Sequence, residues 1–150
     1  MTLLNPDMVV EIKDELDADA TLTAIEGWDL RTNISRQVLA STTKPGNKVS
    51  VINQKRCGPE EPTCGGLYAT QHQYVSIETI VRCLENDTND ARVLAQEIVT
   101  RIIQVMQTAA FNGTGWKSHR KEVDRYVGNF TKTLAFHELV YDCFVTVGTE

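Results

Sequence analysis

The sequence predicts an α+β fold: a small, mostly antiparallel sheet packed against one long amphipathic helix, with a further helix at the N-terminus. Three stretches carry this. Tyr74 to Leu84 alternates, with Val75, Ile77, Thr79, Val81 and Cys83 on one face and Ser76, Glu78 and Arg82 on the other, the period-2 mark of a half-buried strand. Asp90 to Ala109 changes period, placing Ala91, Leu94, Ile98, Ile102, Val105, Met106 and Ala109 on one helical stripe. Leu134 to Val147 then returns to strand composition, rich in Phe, Tyr and Val.

Taken in order, Asn5-Pro6-Asp7 reads as a cap and a helix start, and Met8, Val9, Ile12 and Leu16 follow at helical spacing. That helix should fade by Asp19, and Thr21 to Ile25 offers a second short element. Gly27-Trp28 reads as a turn. Leu30, Ile34, Val38 and Leu39 fit a helix loosely, and Ser41 to Asn47 is a loop by composition. Val49 to Gln54 predicts a short strand. Lys55 to Gln73 is polar and bears Gly and Pro, and a connection this long marks a functional or partner-ordered loop. Glu85 to Asn89 is a turn ending in an N-cap choice among Thr88, Asn89 and Asp90. The helix from Asp90 would be about 30 Å long, and Gly113 and Gly115 stop it. Lys117, His119, Arg120, Lys121 and Arg125 read as a solvated loop, with Val123 to Phe130 leading into the last strand, which is expected to run to the chain's end. In that strand His137 breaks the alternation, so a bulge is expected near it.

Composition bounds the rest. A chain of 150 residues with 41% hydrophobic and 23% charged side chains suits a single domain, residues 1–150. No apolar run nears the roughly 20 residues of a membrane span, and the N-terminus lacks a basic segment followed by an apolar core, so membrane partners and export are not expected and a start in the cytoplasm is. The net charge of −5, with the only basic cluster broken by Glu122 and Asp124, argues against specific nucleic-acid binding.

Four cysteines occur, at 57, 64, 83 and 143. Cys83 and Cys143 fall in apolar faces, as small hydrophobes do. Cys57 and Cys64 flank CGPEEPTCGG, and three states are open to them: free thiols first, a late disulfide next, and a metal site with His72 last, because the spacing is too wide for zinc. No hydrolase, metalloprotease, phosphate-loop or dinucleotide motif occurs. Asp14, Asp17 and Asp19 lack the Gly and terminal Glu of a calcium loop. No catalytic, cofactor-binding or metal-ligating residue is predicted, and the expectation is a structural protein rather than an enzyme. The candidate contact residues lie in the two irregular segments: Arg56, Cys57, Pro59, Glu60, Glu61, Pro62, Cys64 and Tyr68 in the first, Gly113, Trp116, Lys117 and Arg120 in the second.

The order of these elements, from the N-terminal helix through KVSVINQ, QYVSIETIVRC, DARVLAQEIVTRIIQVMQTA and VDRYVGNFTKTLAFHELVYDCFVTVG, resembles the tail terminator, or tail-completion, proteins of tailed bacteriophages. The likeness covers most of the chain from Val49 onward, rests on element order and length, and departs from the family in the larger Cys57–Cys64 loop. It implies a virion protein, made in the host cytoplasm. Its copies would meet head-to-tail in a hexameric ring that caps the tail tube protein and faces the stopper, or head-completion, protein of the neck. It further implies contact with sheath protein in contractile tails, and genomic DNA sliding unbound through an acidic lumen. The family has no catalytic residues to carry over. Two other classes fit the same features: another neck or tail component, such as a head–tail adaptor or tube protein, and a small cytoplasmic α+β binding module.

Overall fold

The computed structural model describes residues 7–62, 68–86, 90–109, 111, 117–128 and 131–148. Helix α1 spans Met8–Asp17, and its start is fixed by Asp7, whose carboxylate accepts from the Val9 and Val10 amides at 3.0 and 3.4 Å. Its stripe of Met8, Val9, Ile12 and Leu16 is buried. Asp19 caps the short α2, Ala20–Thr23, and its two oxygens also take the Arg101 guanidinium at 2.6 and 3.0 Å, tying this corner to a later helix.

Gly27, at φ +78°, turns the chain into strand β1, Trp28–Thr32. The segment from Leu30 to Leu39, expected to be helical, is therefore divided. Its first part is strand, Asn33 turns the chain at φ 60°, and Ser35 caps α3, Arg36–Thr42, by accepting from the Val38 amide. β1 pairs in parallel with β2, Lys48–Cys57, and α3 supplies the crossover that a parallel pair requires. The predicted loop from Ser41 begins only after α3 closes.

The largest departure from the sequence reading is the region 55–73. β2 runs on to Cys57, a two-residue strand β3 forms at Glu61–Pro62, and β4 begins at Tyr68 and continues to Arg82. Of the long loop expected between Arg56 and Gln71, residues 56–57, 61–62 and 68–71 are strand, 58–60 are not, and 63–67 lie outside the described residues; β3 carries on along the edge of β4 that β2 leaves. Helix α4, Ala91–Thr108, has 18 residues and buries Ala91, Ala95, Ile98, Val99, Ile102, Val105 and Met106 against β4 and the closing strand. Asp90 is its N-cap, without a side-chain bond to the helix. The basic stretch expected to be a solvated loop is strand β5, Lys117–Tyr126, and β6 spans Leu134–Gly148.

The sheet order is β1-β2-β4-β6-β5, antiparallel except at β1–β2. β4 and β6 pair without interruption from Tyr68↔Gly148 to Arg82↔Leu134, so no bulge occurs at His137. The irregularity lies in β5, between Lys121 and Val123. His137 stays in register because it is buried and bonded through Nε2 to Asp124 at 2.8 Å. Helices α1 and α4 cover one face over a core that includes Ile52, Val75, Ile77, Leu139 and Tyr141. On the other face α3 covers only one end, over Val49, Val51 and Ile80. Where the sequence suggested one long helix and an N-terminal one, with a short element at 21–25 and a loose helix over 30–39, the described residues form four helices. None is long and apolar enough to cross a membrane.

Candidate functional site on the open face of the sheet

Beyond α3, the second face of the sheet carries no helix among the described residues. Register determines which side chains meet there. Arg56 lies opposite Tyr74, Tyr74 opposite Asp142, and Asp142 opposite Arg120, so one straight row crosses β2, β4, β6 and β5. The Arg56 guanidinium stacks over the Tyr74 ring, 4.1 Å from its centroid. Asp142 is hydrogen-bonded to His72 Nδ1 at 2.8 Å, and Arg120, itself bound to Glu122 at 2.6 Å, stands 4.0 Å from the other Asp142 oxygen. The His72 ring also packs on Phe144, 4.8 Å between centroids.

A second charged row lies four residues along. Glu78 and Glu138 face each other directly across β4 and β6, and both are buried. Like charges in that position repel unless something neutralises them. Arg36, the first residue of α3, does so by bridging them, with Nε 2.7 Å from Glu78 and an Nη 2.8 Å from Glu138. Lys55 reaches Glu138 at 3.2 Å and Arg125 reaches it at 3.1 Å. Burial pushes the Glu138 carboxyl up, but Lys55 foremost, then Arg125 and Arg36, more than offset it and hold the group below its ordinary 4.5. Burial likewise works against the charge on Arg36, and Glu78 and Glu138 overcome it to raise its pKa.

Between the two rows is an open depression of about 580 Å³, lined by Lys55, Arg56, Tyr74, Arg125, Glu138 and Val140 among others. A smaller one of about 320 Å³ adjoins it at His72, Ser118, Arg120, Asp142 and Phe144. Chemically this is a pre-paired surface. Glu138 is engaged by three cations and so makes a poor general base, since a base needs a free lone pair at the reacting proton. The same arrangement suits recognition: guanidinium groups on a rigid sheet, an aromatic platform and an apolar floor of Val140.

No family model matches the chain, and a search of curated proteins returns no match. The assignment of contact residues therefore rests on geometry. Arg56 and Arg120, chosen from separate segments 64 residues apart in sequence, fall in the same cross-strand row. Cys57 ends β2 on the opposite face, exposed, with its thiol pKa raised by partial burial and by Asp7. Pro59 and Glu60 form the exposed turn before β3, and Glu61 and Pro62 are β3 itself. Tyr68 and Lys117 open β4 and β5. Cys64, Gly113 and Trp116 lie outside the described residues, and with them the disulfide question. The zinc alternative loses its third ligand, because His72 faces away from Cys57 and is committed to Asp142. The sequence reading missed Arg36, Lys55, Tyr74, Glu78, Glu138 and Asp142. Glu78 and Glu138 sit at positions of equal parity in the two most strand-like segments, and that was the available signal.

Proposed function

We propose that this chain is a structural subunit of a tailed-bacteriophage neck, a tail terminator rather than an enzyme. Its copies close a hexameric ring over the end of the tail tube and offer a face to the stopper protein, with sheath protein a further contact in contractile tails and DNA passing through the lumen unbound. The observation that carries the reading is the row Arg56–Tyr74–Asp142–Arg120: it brings one residue of each candidate contact segment onto a rigid face whose carboxylates already have charged or hydrogen-bonding partners. Such a face is suited to a protein partner and ill suited to proton transfer. The element order and the α+β sheet are consistent with the same family resemblance.

The test is native mass by light scattering together with negative-stain imaging of the purified chain. A closed ring of about six copies supports the terminator. Long tubes would reassign the chain as a tube protein. A monomer that binds one end of tail tubes keeps the terminator, and one that ignores them removes it. The 580 Å³ depression favours a second reading, a small binding module. That reading calls for a monomer or dimer whose melting temperature rises with a small anionic or zwitterionic ligand.

A further inference from the structure

The two margins of the sheet carry opposite charge. Between residues 7 and 32, which form α1, α2 and β1, eight acids stand against two bases, Lys13 and Arg31, the second paired with Asp29 at 2.6 Å; of the chain's 20 acids and 15 bases this leaves twelve and thirteen elsewhere. α1 packs over β1 and β2, so this acidic shoulder lies at the β1 margin. At the other margin is β5, where Lys117, Arg120, Lys121 and Arg125 outnumber Glu122 and Asp124. Among the described residues neither β1 nor β5 has a strand partner on its outer side.

We propose that the basic β5 margin of one copy docks on the acidic α1–β1 margin of the next, extending the sheet from molecule to molecule. This rests on the reading of the chain as a ring subunit and names the surfaces that would close the ring.

Strand direction permits it. β1 runs with β2, against β4, with β6 and against β5, so β1 and β5 point opposite ways. Placing copies side by side in one orientation thus sets β5 antiparallel to the neighbouring β1, along the five residues of β1, about 17 Å. Parity agrees as well. Asp29 and Arg120 both project to the open face, while Lys121 projects to the helix face, the side on which α1 carries the exposed Asp14; Asp29, Arg120 and Lys121 would share their present partners Arg31, Glu122 and Asp124 with the neighbouring copy. A two-fold contact through either margin alone would instead set base against base or acid against acid, which selects the head-to-tail arrangement. The charges and the irregularity in β5 would also serve to keep a lone edge from aggregating. That purpose is met best by the same sign on both margins, and here the signs differ.

The experiment reverses the charges that would meet across the contact. Arg120→Glu with Lys121→Glu turns the β5 side of that contact acidic; Asp14→Lys with Asp29→Lys puts bases at the facing positions of the α1–β1 side. Each variant alone should fall from the wild-type assembly to a single chain, a roughly sixfold drop in light-scattering mass for a hexamer. Mixed in equal amounts they should regain the wild-type mass, because each reversed position then meets an opposite charge. Single variants that keep the wild-type mass, or folded variants that fail to rescue each other, overturn the proposal. If circular dichroism shows a reversal to be unfolded, Arg120→Gln with Lys121→Gln is read instead, with the dissociation constant expected to rise at least tenfold and an unchanged value overturning it. A wild-type ring indifferent to every reversal removes the edge docking and leaves the terminator standing. A wild-type monomer at low salt also removes the edge docking, and binding to tube ends then decides the terminator separately.

Discussion

At the scale of single residues, the pair Glu78–Glu138 organises the open face. Two buried carboxylates opposite one another are tolerable only with cations over them, and Arg36, Lys55 and Arg125 provide these. Glu138→Gln keeps the shape and removes the charge, leaving three cations short of an anion. Because those cations are partly exposed, the expected loss is about 1–3 kcal/mol rather than the larger cost of a fully buried pair. It should appear as a lower urea midpoint at unchanged slope. The pH dependence has a definite sign. A carboxyl held below its ordinary 4.5 contributes stability that is complete above that value and lost as pH falls through it. His137 acts in a different window. Burial lowers its pKa below 6.5, against the pull of Asp124, so the folded state keeps it neutral and its contribution is complete above 6.5 and declines as pH falls below it. His137→Gln should flatten the stability profile just below pH 6.5 while leaving the acid limb below 4.5 in place, as followed by thermal melts across pH. The shared parity of Glu78 and Glu138 was legible in the sequence, but their pairing was not: they are 60 residues apart, and only the β4–β6 register makes them neighbours.

Elements were legible in proportion to how much of their length lies under the helices. α1, α4, the centre of β4 and β6 show clean periodicity because one side of each faces a core, and their predicted bounds differ from the observed ones by a few residues or fewer, apart from the start of β4. β2 shows where the signal ends: its residues 49–52 are buried and its last four, from Gln54, are exposed. There the end of β2 meets water on both faces, and the matching part of β4 buries only the small Ala69 and the polar Gln73 on its helix side, so hydrophobic alternation vanishes and a paired segment reads as a loop. β1 failed for another reason. Five residues alternating between half-buried and exposed are too few to establish a period, and Leu30, Ile34 and Val38 happen to repeat every fourth position. Ser35 as an N-cap was the overlooked clue that a helix starts there and not at Leu30. Two substitutions test the elements. Ile98→Ala, in the fully buried stripe of α4, should cost about 2–5 kcal/mol through lost burial and a residual cavity. Gly27→Ala should cost about 1–2 kcal/mol, since φ is +78° there and a Cβ would stand 3.2 Å from the Gly46 carbonyl oxygen. Both are read from chemical denaturation.

For the whole molecule, the overall net charge of −5 conceals the feature with most consequence, a separation of acid and base between opposite sheet margins. The sequence displays the acidic run 7–29 openly, but its significance depends on knowing that β5 lies at the far edge, which requires the strand order. Salt offers a test of whether this separation drives assembly. If copies associate through opposed charged margins, raising ionic strength shortens the screening length from about 10 Å at 0.1 M to about 3 Å at 1 M and should weaken association while leaving the fold intact. If association instead rests on burial of apolar surface, the same rise should leave it unchanged or, with sulfate as the anion, strengthen it. Sedimentation velocity of the wild-type chain in sodium chloride and in sodium sulfate, at matched ionic strength, separates the two. Loss of the assembled species in both salts is the expected result. Its persistence in chloride with enhancement in sulfate would mean that the charged margins are only solvated edges, and would transfer the search for the self-contact to apolar side chains such as Val10, Val38 and Val93, which the monomer leaves exposed.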